Sequence, residues 1–94
     1  MAGESQRQKF AELHTRNQAA LVDLLRTDLD LGFTFLQMAN VTGDRGHARQ
    51  AVQRATAALE GIRRLSERIE NRDLKSEIRG KADELEKAID EFSN

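Results

Sequence analysis

The side chains best suited to hold a metal or act as a base are the two histidines, His14 and His47. A carboxylate-bridged metal site in a helical bundle needs Glu-x-x-His pairs on facing helices. Glu12 lies two residues before His14, so the two side chains fall on different sides of a helix. A second copy of the pair is missing from the sequence. The two histidines therefore predict no metal site.

Nucleophilic catalysis has equally little support in the sequence. The chain has no cysteine, which excludes thiolate catalysis and disulfides. The serines, Ser5, Ser66, Ser76 and Ser93, lack the surrounding glycines of a nucleophile elbow. We therefore expect no catalytic residue, no cofactor, no small-molecule substrate and no enzymatic activity.

Basic side chains gather at the start of a predicted helix near residue 45. The first N–H groups of a helix carry the positive end of its dipole and attract anions. Arg45, His47 and Arg49 lie close to these groups in the sequence. This arrangement predicts either a solvated helix start or an anion site for phosphate or nucleic acid.

The same helix carries further arginines along one side. Residues 45–73 hold seven arginines against four acids. Arg54, Arg64 and Arg68 share one helix face, which is either a solvated surface or a basic contact for a partner. A small nucleic-acid-associated regulator using residues 45–72 is the alternative function. Aromatic side chains, which single-strand binders stack on bases, are missing from that stretch.

Apolar side chains recur every three or four residues along most of the chain, which predicts amphipathic helices. The absence of proline removes the strongest helix breaker. The pattern indicates three long helices, at about residues 17–40, 45–70 and 73–92. Turn-forming residues separate them, with Asp73 as a cap for the third. Short connections predict an all-α, antiparallel up-down bundle.

The N-terminal region, up to about residue 40, has two interpretations. Thr27–Asp30 fits a capping box, which would divide the segment and add an extra N-terminal helix. Residues 4–31 contain no glycine or proline, which favours one helix with Thr27 in its interior and the residues before about 16 as a weaker helical extension. Residues 29–35 also alternate like a strand, but no other segment could pair with them.

The C-terminal half of the first long helix is apolar around nearly its whole circumference. One helix of a bundle cannot bury all of that surface internally. We expect Phe35 and Met38 to face the core. Leu29, Phe33 and Leu36 then point away from it, as an apolar contact with a partner. Either the N-terminal extension folds back over this side or a second subunit covers it. Because exposed apolar patches mark interfaces, we expect a homodimer.

A known repeat pattern is found in the middle of the chain. The residues that carry it are Leu31, Gly32 and Phe35, followed after a loop by Ala48, Val52 and Ala55. Residues 28–58 thereby resemble one helical hairpin of the tetratricopeptide repeat family, although the loop is longer and the closing proline is absent. A second copy is also absent. The resemblance implies a protein-binding role and no chemistry.

Length and charge set the remaining expectations. A chain of 94 residues corresponds to one domain, 1–94, and a net charge of -1 favours no class of partner. The first residues lack the apolar core of a signal peptide, and no apolar run reaches membrane-spanning length. We therefore expect a cytoplasmic, self-associating helical module that binds proteins.

Overall fold

A computed structural model describes the backbone of residues 2–93 and the side chains of residues 6–92. The described chain forms three helices, which are α1 (Ala2–Val41), α2 (Arg45–Ser66) and α3 (Arg72–Ser93). No strand occurs between residues 2 and 93. All three helices contact one another, with α2 running opposite to α1 and α3. The predicted all-α up-down bundle is confirmed.

The first helix is much longer than the other two. It has 40 residues, against 22 each for α2 and α3. At about 1.5 Å per residue, α1 is roughly 60 Å long and its neighbours roughly 33 Å. The molecule measures 65 × 21 × 16 Å, so α1 alone sets its length.

The start of α1 differs from the prediction of about residue 17. Residues 2–16 continue the same helix, and no separate N-terminal helix forms. Thr27 is a helix-interior residue, and its hydroxyl donates to the Asp23 carbonyl at 3.0 Å. Residues 29–35, which alternate like a strand, are also helical. The helix is continuous because residues 4–31 contain no proline or glycine, and Gly32 inside it is tolerated.

The turn between α2 and α3 lies earlier than predicted. Helix α2 ends at Ser66 instead of residue 70, and the Ser66 hydroxyl donates to the Arg63 carbonyl at 2.9 Å. Helix α3 starts at Arg72 because Asn71 caps it, with its side-chain oxygen accepting from the Leu74 N–H at 3.0 Å. Asp73 therefore lies in the first turn and is not the cap.

The core consists of apolar side chains from all three helices and the turn. Its members include Val22, Leu25, Leu29, Leu36, Ala55, Leu59, Ile62, Ile69, Ile78, Ala82, Leu85 and Ile89. Gly32 permits a close approach, because a Cβ there would lie 2.7 Å from Leu85 Cδ2. The Leu85 side chain of α3 is therefore packed tightly against α1 at this point.

Polar contacts fix the alignment of the helices on α1. The Gln18 amide nitrogen donates to the Arg68 carbonyl at 3.1 Å, and its oxygen accepts from the Glu70 N–H at 2.9 Å. Arg26 pairs with Glu77 at 2.9 Å. The α2–α3 turn thus lies beside Gln18, and α1 extends beyond it toward its N-terminus.

Over residues 2–93, none of the helices has an apolar stretch suited to crossing a membrane.

Candidate interaction surface

Helix α1 carries apolar side chains on two opposite sides. Its inner side, with Leu25, Leu29 and Leu36, packs against α2 and α3. Its outer side has a second set, and Leu24 and Leu31 are about half exposed there. An ordinary surface helix has one apolar side and one polar side. The outer side of α1 is therefore the feature of the bundle that folding alone leaves unexplained.

The outer residues follow the alternating three- and four-residue spacing of a coiled-coil core. We call them the α1 seam, which consists of Phe10, Leu13, Asn17, Ala20, Leu24, Thr27, Leu31, Thr34, Met38 and Val41. All ten are exposed. The six large apolar members range in exposure from 45% for Leu31 to 84% for Val41. Such a seam is the surface that a second helix would cover.

The two threonines later in the α1 seam, Thr27 and Thr34, are less polar than their type suggests. Their hydroxyls donate to the carbonyls of Asp23 and Asp30, at 3.0 and 2.8 Å. A threonine bonded to its own helix in this way contributes mainly its methyl group to packing. The seam therefore stays apolar between its leucines.

The C-terminal end of the α1 seam forms a shallow surface depression. Its volume is about 380 Å³, and its lining includes Thr34, Met38 and Val41. Apolar side chains of another molecule could enter it without displacing any part of the bundle. The surface at this end of α1 is therefore concave as well as apolar.

The predicted apolar contacts do not lie on this outer surface. Leu29 and Leu36 are buried in the core, and Phe33 is half-buried against it. Met38, which we expected to face the core, is half exposed. Phe35 packs against the core as expected, but the sides of Leu29, Leu36 and Met38 were predicted wrongly. A helix that is apolar on two sides can be turned either way from sequence alone.

The three predicted basic contacts lie in different local settings. Arg54 lies over the Phe35 ring, 5.9 Å from its centroid, and this contact joins α2 to α1. Arg64 is exposed on α2. Arg68 lies in the turn beyond the helix, where its carbonyl accepts the Gln18 hydrogen bond.

The arginine with the closest acidic partners is Arg63, which the sequence analysis did not select. Its guanidinium lies 3.1 Å from Asp83 and 2.7 Å from Glu86, both on α3. The hydrogen bond to Asp83 and the nearby Glu86 raise the pKa of Arg63 against a smaller opposing effect of burial. Its charge is therefore engaged inside the molecule.

The predicted anion site at Arg45, His47 and Arg49 is already filled by a carboxylate of the chain. Asp44 Oδ1 accepts from the N–H groups of Gly46 at 2.7 Å and His47 at 3.0 Å. These hydrogen bonds lower the pKa of Asp44, with a further contribution from the His47 side chain. The N–H groups that would bind an external anion are thus used by the helix cap.

A second surface feature lies where the α2–α3 turn meets α1. A groove of about 320 Å³ there includes Val22, Ile69 and Leu74 in its lining. At its edge His14 Nε2 and Glu70 Oε2 are 2.6 Å apart, and both side chains are more than half exposed. Across the side chains of residues 6–92, no three His, Asp or Glu residues come together as metal ligands would.

The α1 seam is the site that the sequence analysis missed. Its signal was present, because Leu24, Leu31 and Met38 are spaced seven residues apart. That spacing was hidden by the equally regular inner residues Leu29 and Leu36.

Comparison with known protein families, curated proteins and solved structures finds no match to this chain.

Proposed function

We propose that this chain is a non-enzymatic protein-interaction module that binds a helix of a partner along the α1 seam. One observation carries the proposal. Among residues 6–92, every large apolar side chain that is exposed lies on α1, and all six occupy coiled-coil spacing. Burying apolar surface of this kind is the main driving force of most protein association.

The spacing also favours a helix as the partner. Seam residues three and four apart form one continuous stripe along α1, from Phe10 to Val41. A second helix can lie along such a stripe and insert its side chains between those of the first. A small molecule would instead need an enclosed pocket, and the α1 seam is an open surface.

Photochemical crosslinking would test this proposal. A benzophenone amino acid at position 31, in the α1 seam, should form a discrete protein adduct in the native host. The same group at position 53, on the exposed side of α2, should form none. Adding Leu24→Glu to the first protein should abolish its adduct, because a charge in the seam cannot be buried without a large cost. Peptide mapping should place the attachment on a helical segment of the partner.

Equal labelling from positions 31 and 53, or an adduct unaffected by Leu24→Glu, would contradict the proposal. Circular dichroism supplies the control for folding. Because Leu24 is half exposed, the variant should keep the helical content of the parent protein.

The alternative, a nucleic-acid-associated regulator, has less support. Arg63 is paired with two acids of α3, and the start of α2 is capped by Asp44. Electrostatic binding to nucleic acid depends on unpaired basic side chains that can contact phosphates. We expect no mobility shift of DNA or RNA at low ionic strength. A shift that disappears in an Arg54→Ala/Arg64→Ala variant would favour the alternative.

The likeness of residues 28–58 to a tetratricopeptide hairpin stays a prediction, as does the cytoplasmic location. One contact bears on the geometry of that hairpin. In this bundle Gly32 approaches Leu85 of α3, whereas the hairpin pattern places its small residues between the first two helices.

A further inference from the structure

Charged side chains on either side of the α1 seam are sorted by sign along the helix. One flanking row directly precedes seam residues and consists of Lys9, Arg16, Asp23 and Asp30. All four are exposed. The row is basic in its N-terminal half and acidic in its C-terminal half. Charges beside a coiled-coil seam determine partner choice and orientation.

The opposite flanking row repeats this order. His14 lies in the N-terminal half and Asp28 in the C-terminal half, each directly after a seam residue. Between them Leu21 is half-buried and carries no charge. On both edges of the α1 seam the acids therefore lie in the C-terminal half.

We propose that the partner of the α1 seam is a second copy of this chain, lying antiparallel to the first. This inference rests on the proposed function and names its partner. In an antiparallel pair, each flanking row lies beside the same row of the other helix, running the opposite way. Lys9 and Arg16 then face Asp30 and Asp23 of the second copy. One register satisfies both pairs, because each pair of like charges is spaced seven residues apart.

A parallel pair would place the same charges unfavourably. Each row would then lie beside the other row of the second copy. Asp23 would face Asp28, two acids in contact, and Lys9 would face His14, so no opposite charges would meet. Like charges side by side destabilise helix pairs. The charge order therefore selects the antiparallel arrangement.

The antiparallel register also accounts for the extension of α1 beyond the bundle. The charge pairs place the two-fold axis between Asn17 and Ala20 of each copy. The extension before His14 then lies beside the second half of the other α1, and Leu13 packs near Leu24 of the second copy. Asn17, the one amide in the α1 seam, lies next to the axis, where a buried amide fixes register. Met38 and Val41 fall outside the overlap.

Sedimentation equilibrium of the purified chain tests the association. We expect twice the chain mass of 10.6 kDa, and we expect Leu24→Glu to weaken the dimer at least a hundredfold. Val41→Glu is the matched control, since Val41 is the most exposed seam residue but lies outside the overlap. It should leave the dimer unchanged within about threefold. A dimer weakened equally by both variants would overturn the register.

A pair of charge reversals tests the orientation. Lys9→Asp/Arg16→Asp and Asp23→Arg/Asp30→Arg should each weaken the homodimer, by about tenfold to a hundredfold for several exposed pairs. An equimolar mixture of the two variants should restore association, because every facing pair is again opposite in sign. Absence of this rescue would overturn the antiparallel assignment.

A spin-label distance gives an independent readout. The chain has no cysteine, so Gln8→Cys provides a single labelling site on exposed α1. The antiparallel dimer separates the two labelled positions by roughly 30 Å along the helix axes, at about 1.5 Å per residue. A parallel dimer has no axial separation, so only the distance across the pair remains, with helix axes about 8–10 Å apart. The shorter distance would overturn the inference.

Failure of this inference is distinguishable from failure of the proposed function. A chain that stays monomeric at millimolar concentration overturns self-association. If position 31 nevertheless crosslinks to a protein of different mass, the proposed function stands with another partner. If the chain is monomeric and position 31 gives no adduct, both proposals fail.

Discussion

The outer side of α1 and the outer sides of α2 and α3 face the same solvent but have opposite character. On α3 the outer side includes Arg79, Glu84 and Lys87, and on α2 it includes Arg49 and Gln53, all exposed. The large apolar side chains of α2 and α3 are at least half-buried. On α1, six large apolar side chains are exposed.

The N-terminal ends of α2 and α3 are also satisfied within the chain, because each is capped by a side chain. Asp44 caps α2, and Asn71 caps α3. Both helices therefore have one apolar side, one polar side and a bonded N-terminus, which is all that a folded bundle requires. Helix α1 has an additional apolar side. On α2 and α3 the large apolar side chains are thus used up in folding, whereas α1 exposes six more, and these are the basis of the proposed binding surface.

The sharpest test of this comparison uses neighbouring leucines on the two sides of α1. Leu25 is 0% exposed and Leu24 is 49% exposed. Leu25→Ala should destabilise the chain by about 2–5 kcal/mol, because it leaves a cavity in the core. Leu24→Ala should change the monomer by less than about 0.5 kcal/mol.

Urea unfolding at a concentration at which sedimentation shows only monomer measures both free energies of unfolding. Circular dichroism at the same concentration reports the helical content. Similar losses of unfolding free energy for the two variants would mean that both sides of α1 contribute to the folded core. The contrast between α1 and the other two helices would then fail.

A second test compares glycines on the inner side of α1 and the outer side of α3. At Gly32 an added Cβ would lie 2.7 Å from Leu85 Cδ2, and Leu85 is fully buried and cannot move freely. We expect Gly32→Ala to destabilise by about 1 kcal/mol, because overpacking outweighs the gain in helix propensity.

Gly80→Ala is the matched control. Nothing lies within 4 Å of a Cβ at Gly80, so the helix propensity of alanine should stabilise the chain by about 0.5–1 kcal/mol. Thermal unfolding should therefore give shifts of opposite sign. Stabilisation by both substitutions would show that α1 and α3 are packed less tightly at Gly32 than the distances indicate.

The fold was predictable from sequence because three of its determinants are local. Apolar spacing, the absence of proline and the turn residues near 40–46 give the helices and their order. The exact residue at which each helix begins or ends depends less on the local sequence. Asp73 is as good a cap residue as Asn71, and only the packing of the turn against Gln18 decides between them.

The rotation of α1 could not be predicted because both of its sides obey helical spacing. Leu29 and Leu36 are seven residues apart, and so are Leu24 and Leu31. The choice between the two sides is made by fit to α2 and α3, which includes the space that Gly32 leaves for Leu85. That contact joins residues far apart in sequence, so the spacing of apolar residues within α1 cannot predict it.

The smallest expected effect concerns the caps that close α2 and α3. Hydrogen bonds from His47 and Gly46 lower the folded pKa of Asp44 below its ordinary value of 3.8. The ionised cap therefore stabilises the folded chain fully above that value, and this contribution is lost as pH falls through the lower folded pKa. Asp44→Asn keeps an acceptor without a charge, so its stability should lack this acid-dependent loss.

Thermal unfolding of both proteins between pH 6 and pH 2 measures the difference. The wild-type chain should be the more stable at pH 6, and the two should converge at the acidic end. Asn71→Ala is the control at the other cap, and its cost of about 1 kcal/mol should not change with pH, because an amide does not titrate. A pH-independent gap between wild type and Asp44→Asn would mean that the carboxylate stabilises α2 only as a neutral acceptor could. The N-terminus of α2 would then be capped by hydrogen bonding alone, as that of α3 is. The charge of Asp44 would then contribute nothing to keeping anions away from the start of α2.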